Sequence, residues 1–204
     1  MKRINDLFFN VNITWKKVIV FSILVAIYTA FTLVTPYINK TSLSNIGVYI
    51  ESWVLFALII IMNVKSPIEA ALKTFVFFLI SQPLIYLLQV PFSYLGWNIF
   101  MFYEQWFIIT LLTLPGGFIA WYVKKDNILS ALILSVATMF ICFQGVDFLH
   151  SVIFHFPNNI LSCLFCFGLI YLFVFTLLKK KTNRMITLSL TLFALIVSFI
   201  YFFR

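Results

Sequence analysis

Seven apolar runs, separated by short polar breaks, make up almost the whole chain. They fall near residues 18–38, 47–64, 68–90, 104–123, 128–149, 158–178 and 186–203. Each is close to the roughly 20 residues that a helix needs to cross a hydrocarbon layer about 30 Å thick. The breaks carry helix-end signals. Ser66 is placed as an N-cap, Pro67 as the first helical residue and Glu69 in the first turn. The segments 124–127 (KKDN) and 179–184 (KKKTNR) read as tight polar connections, and Pro91 and Pro157 punctuate two more. The pattern predicts an all-α integral membrane protein, a bundle of seven transmembrane helices in one domain over 18–204. A six-span alternative leaves one run out of the bilayer. The fourth run is the weakest, because residues 92–103 (FSYLGWNIFMFY) blur its start and read as an outer interfacial helix.

Ahead of the first run, residues 1–17 place Ile4, Leu7, Phe8, Val11 and Trp15 at helical spacing, with charged and amide residues opposite. This predicts a short amphipathic helix in the headgroup layer. It is not a secretory signal: the apolar run after it is too long, and no small-x-small cleavage site follows.

Composition sharpens the class. The 204 residues are 63% hydrophobic and 10% charged, against roughly 25% charged in soluble domains. So large an apolar surplus calls for lipid as solvent. The net charge of +8 does not mark a nucleic-acid partner, because the basic residues form short clusters between apolar runs. Twelve of the 14 lysines and arginines fall on one side of the seven-span arrangement; only Lys40 and Arg204 fall on the other. The positive-inside rule then places the N-terminus in the cytoplasm and the C-terminus outside, in a plasma membrane. Cys142, Cys163 and Cys166 all lie within apolar runs and form no disulfide framework.

That orientation collects three acids at the outer side: Glu51 about one turn inside the outer end of the second span, near its start, Glu104 at the start of the fourth and Asp147 near the end of the fifth. None has a basic partner at its level. His150 shares a helix face with Asp147, and His155 follows in the loop. Asp147, His150 and His155 are weak metal candidates, since their spacing matches no established zinc pattern. On the third span Gln82, Tyr86 and Gln89 share one face, with Pro83 interrupting the backbone bonding beside Gln82. Pro115-Gly116-Gly117 reads equally as a hinge or as a packing kink in the fourth span. Ser135, Thr138, Cys142 and Gly145, and likewise Thr187, Thr191, Ala194 and Ser198, read as small-residue packing stripes. Glu69 and Lys73 read as a pair beneath the inner leaflet, with Lys73 snorkelling outward.

No phosphate loop, nucleophile elbow, HExxH or paired intramembrane glutamates occur, so no cofactor is assigned. The expected function is a small transporter or membrane solute-binding subunit, with Glu51, Gln82, Tyr86, Gln89, Glu104, Asp147 and His150 around an outward pocket for a cationic or amine-bearing ligand. Two alternatives are an outward-facing membrane hydrolase using Asp147, His150 and His155, and a non-catalytic accessory or immunity protein with a partner membrane subunit. The pair Ala26 and Ala30 resembles the small-xxx-small docking surface of vitamin-uptake solute-binding subunits. The span count differs from theirs and no other motif matches.

Overall fold

The computed structural model describes residues 8, 11–39, 41–155 and 159–204. Its α-helices are α1 (Trp15–Val34), α2 (Ser42–Val48), α3 (Ile50–Met62), α4 (Pro67–Gln89), α5 (Tyr103–Ala120), α6 (Ile128–Phe154), α7 (Ile160–Leu172) and α8 (Lys181–Phe203). No strand occurs among the described residues. Six helical stretches are long and apolar enough to cross a membrane. The seventh expected span is two helices, α2 and α3, bent by 54°. The fourth run is not the weak one: Gly96–Lys125 is one helical rod of 30 residues, and residues 96–102 enter it as a 3₁₀ turn rather than lying apart. Most of the expected interfacial segment 1–17 lies outside the described residues. Within the rest, Val11–Thr14 are not helical and Trp15 already opens α1.

The burial pattern shows why lipid is the solvent. On α8 the buried residues are Asn183, Thr187, Thr191, Ala194 and Ser198, while Leu192, Phe193, Ile196 and Ile200 are exposed. On α1, Ser22, Thr29 and Thr32 are buried, and Ile19, Val20, Leu24 and Phe31 are exposed. Water would invert this arrangement, because apolar area costs about 25 cal/mol per Å² to hydrate. The protein is therefore a multi-pass helical membrane protein.

The chain divides into two compact units. The first, residues 1–40 and 56–121, centres on α4, which packs on α1 and α5. Ser66 accepts a hydrogen bond from the Glu69 amide at 3.1 Å, and Pro67 opens the helix, as expected. Lys73 does not snorkel. It is 4% exposed, pairs with Glu69 at 2.6 Å, donates to the Ile13 carbonyl and lies 5.5 Å from the Trp15 ring. The Val11 amide donates to Asn63 Oδ1 at 2.9 Å. The segment before α1 is thus strapped to the α3–α4 turn, and its carbonyl gives the ammonium a partner that the headgroups would otherwise supply. Ala26 and Ala30 are buried. They pack α1 within its own unit and offer no docking surface. Gly117 packs closely on α4: a Cβ there would stand 3.1 Å from Ala71 Cα and 3.2 Å from the Ala70 carbonyl oxygen.

The second unit, residues 41–55 and 122–204, centres on α6, which packs on α7 and α8. Both small-residue stripes meet as expected. Thr138 and Thr191 share a hydroxyl hydrogen bond at 2.7 Å, and Thr187 donates to the Ala131 carbonyl at 3.1 Å. Such bonds average about 0.6 kcal/mol in membranes, so close packing dominates this seam. At Gly145 an added Cβ would meet Cys166 Cβ at 3.0 Å, which makes Cys166 a packing residue.

Asp126 ties the two basic turns of this unit together. It sits at φ 45°, a left-handed conformation that aspartate tolerates. Its carboxylate accepts from the amides of Lys179 (3.0 Å) and Lys180 (2.8 Å) and from Asn183 Nδ2 (2.9 Å). Burial alone would raise this carboxyl. The Asn183 and amide hydrogen bonds and the Lys180 charge outweigh that and hold it below its ordinary value. A depressed acid stabilises while ionised. Its contribution is full above the ordinary aspartate range, about 3.9, and is lost as the pH falls through the folded-state value. Asp126→Asn keeps the left-handed preference and removes the charge. It should cost about 1 kcal/mol at neutral pH after solvent screening. In thermal unfolding scans in detergent, the gap between variant and wild type should close under acid conditions. A gap independent of pH would contradict this assignment.

Candidate functional site

The second apolar run breaks at Tyr49, which has the extended conformation φ −80°, ψ 157°. The first half, α2, is held to the α6–α7 connection. Asn45 Nδ2 donates to Asn159 Oδ1 at 2.6 Å, Asn159 Nδ2 donates to Ser151 Oγ at 2.8 Å, and Ser162 Oγ lies 3.5 Å from the Ser42 carbonyl. The chain turns after this anchor and sets off into α3. A break leaves carbonyls at the end of one half-helix and amides at the start of the next without intrahelical partners. At membrane depth such backbone persists where protein buries it or where it lines a cavity.

Glu51 stands in the first turn of α3, two residues past the break. Its residue exposure is 0%, and neither carboxylate oxygen has a hydrogen-bond partner among the described residues. It does not reach up to the interface. The adjacent Ser52 is also fully buried, with its hydroxyl unpartnered among the described residues. Sequence reading singles out Glu51 as a lone acid in an apolar run. It misses Ser52, whose only signal is adjacency to that acid.

Asp147, on α6, accepts from Gln144 Nε2 at 3.2 Å. The phenol of Tyr49 interacts electrostatically with both carboxylates, Asp147 and Glu51. Its ring meets Phe148 edge-on at 5.1 Å. Glu51 also acts electrostatically on Cys166. Glu51, Ser52 and Tyr49 are the polar residues of the break itself, and Asp147 and Cys166 interact with them electrostatically.

The two histidines do not join it. The His150 ring packs against Phe154 at 4.6 Å and Phe203 at 5.2 Å. His155 is exposed at the end of α6 and donates its backbone amide to the Ser151 carbonyl at 2.8 Å. No group of three His, Cys, Asp or Glu among the described residues is placed to hold a metal. Asp147, His150 and His155 are not brought together as a three-ligand site: Asp147 takes Gln144, the His150 imidazole lies against phenyl rings and His155 is exposed.

The other expected residues belong to the first unit. Gln82 is 2% exposed with its Nε2 unpartnered among the described residues, as is the buried Thr74 hydroxyl. Tyr86 donates to the Phe102 carbonyl at 3.3 Å, and Gln89 Nε2 donates to the Ile85 carbonyl of its own helix at 3.1 Å. Both are satisfied locally. Glu104 is exposed in the first turn of α5. A groove of about 480 Å³ in the second unit, between α6 and α8, is lined by Phe140, Phe143, Phe193 and Val197 and holds none of the expected ligand residues.

The fold defines a class, a multi-pass helical membrane protein, with one pair of apolar helices bent by 54° at Tyr49. Compared with known proteins, the chain matches no family model, no curated protein and no solved structure.

Proposed function

We propose that this protein binds a small cationic or amine-bearing solute at Glu51, as a transporter or as the solute-binding subunit of one, in the plasma membrane. One observation carries the reading: a carboxylate enclosed in the protein, with neither oxygen partnered by another residue among the described residues, beside the bend between two apolar helices. Burying such a group costs several kcal/mol unless something pairs with it. A structural role would have selected a partner. Broken helices place half-helix ends and free backbone groups at solute sites in transporters, and Ser52 supplies a further oxygen donor. With the basic turns on the cytoplasmic side, the α2–α3 break lies toward the outer side and takes its solute from there.

The test is ligand-dependent unfolding of the purified full chain in detergent. The probes are sodium chloride, methylammonium chloride and putrescine dihydrochloride at matched ionic strength. At least one should raise the unfolding temperature of the wild type and leave Glu51→Gln unmoved. A concentration of 100 times Kd gives about 2.7 kcal/mol of stabilisation. Equal shifts in both proteins would remove Glu51 from the site.

A further inference from the structure

We infer that Glu51 holds a proton while the site is occluded and releases it when the cation binds, so that solute binding and proton binding exclude each other. This deepens the proposed function and rests on Glu51 being its cation site. The groups around Glu51 in its own unit support the inference. Tyr49 at the break and Cys166 on α7 are titratable side chains that interact electrostatically with it. Asp147 on α6 acts on the same Tyr49 and carries the same sign of charge. His150 on α6 is turned into Phe154 and Phe203. None of these groups offers Glu51 a positive charge.

The lysines before α6 stand at the far end of that helix from Asp147. Asp147 lies 19 residues after Ile128, roughly 28 Å along the helix at ~1.5 Å per residue. The α3 N-terminus does favour an anion, but by about 0.3–1 kcal/mol, and up to ~2 kcal/mol when partly buried. Several kcal/mol of desolvation outweigh that. The neutral acid is then the lower state until a cation arrives. In the exchange, the carboxyl O–H bond breaks, its electron pair stays on the oxygen, and the proton leaves to water on the side that delivers the cation. The charge of the site is unchanged, and nothing is oxidised or reduced.

Dicyclohexylcarbodiimide tests this, because it adds to protonated carboxyls in apolar surroundings. The full chain in detergent is treated over a range of pH, with and without sodium or methylammonium chloride, digested and read by mass spectrometry. The expected result is an adduct on Glu51 and none on the exposed Glu104. Its yield should fall about tenfold per pH unit above the midpoint, as one titrating group requires, and should fall again with the cation that shifts the unfolding temperature. No adduct on Glu51 at any pH, with that thermal shift intact, would overturn the proton and leave the cation site standing. A pH-dependent adduct that neither cation protects, with no thermal shift, would leave the proton standing and overturn the cation site, and with it the exchange.

Discussion

Lys73→Met should release the N-terminal segment and destabilise the first unit by about 2–4 kcal/mol. Breaking a buried ion pair typically costs about 3–5 kcal/mol, because the remaining charge is stranded. The lower figure applies here because the Glu69 side chain is 32% exposed and keeps the Lys65 amide, which donates to it at 2.9 Å. The Ile13 carbonyl loses its donor in the same step. Limited proteolysis should then cut near residues 11–14 at protease levels that leave the wild type whole. Adding Glu69→Gln should recover part of the loss, since no charge is then stranded. Wild-type unfolding and protease resistance in Lys73→Met would show that the strap holds nothing.

Gly117→Leu should be at least as severe, while its neighbour should tolerate substitution. At Gly117 the first added carbon already meets α4 backbone, at Ala71 Cα (3.1 Å) and the Ala70 oxygen (3.2 Å). A helix backbone cannot swing aside as a side chain can, and overpacking costs about 1–3 kcal/mol even for small additions. Leucine adds three further carbons at the same place, so about 3 kcal/mol or a failure to fold is expected. At Gly116 nothing lies within 4 Å of an added Cβ. Gly116→Ala should stabilise by up to about 1 kcal/mol through helix propensity. Parallel thermal scans of Gly116→Ala and Gly117→Ala compare the two positions on equal terms. Equal effects would remove the close approach of α5 to α4.

Those two glycines show what the sequence could say. Composition and periodicity placed the membrane helices, and local chemistry placed their ends, as at Ser66 and Pro67. Small-residue stripes also read directly, since Thr138 and Thr191 need only spacing to be recognised as seam residues. Features set by long-range contacts did not read. Pro115-Gly116-Gly117 reads equally as a hinge or as a packing kink, yet its rod is continuous and Gly117 packs against α4. The real break lies at Tyr49, in a run with no proline, where Asn45 answers Asn159, 114 residues away. Lys73 turned inward for a carbonyl 60 residues distant, and Ala26 and Ala30 turned inward with the face that α1 buries. Glu51 was legible as an isolated acid. Its lack of a partner was not, because partners come from other helices.

That lack of a partner is the central claim, and the unfolding temperature of Glu51→Leu without added ligand tests it most directly. A buried polar group held without partners for the sake of a solute destabilises the empty protein. Replacing it by an apolar side chain of similar size should therefore stabilise, by about 1–3 kcal/mol, while abolishing the cation-dependent shift. A less stable Glu51→Leu would mean that the carboxyl is bonded within the fold, and the solute site at the broken helix would be contradicted.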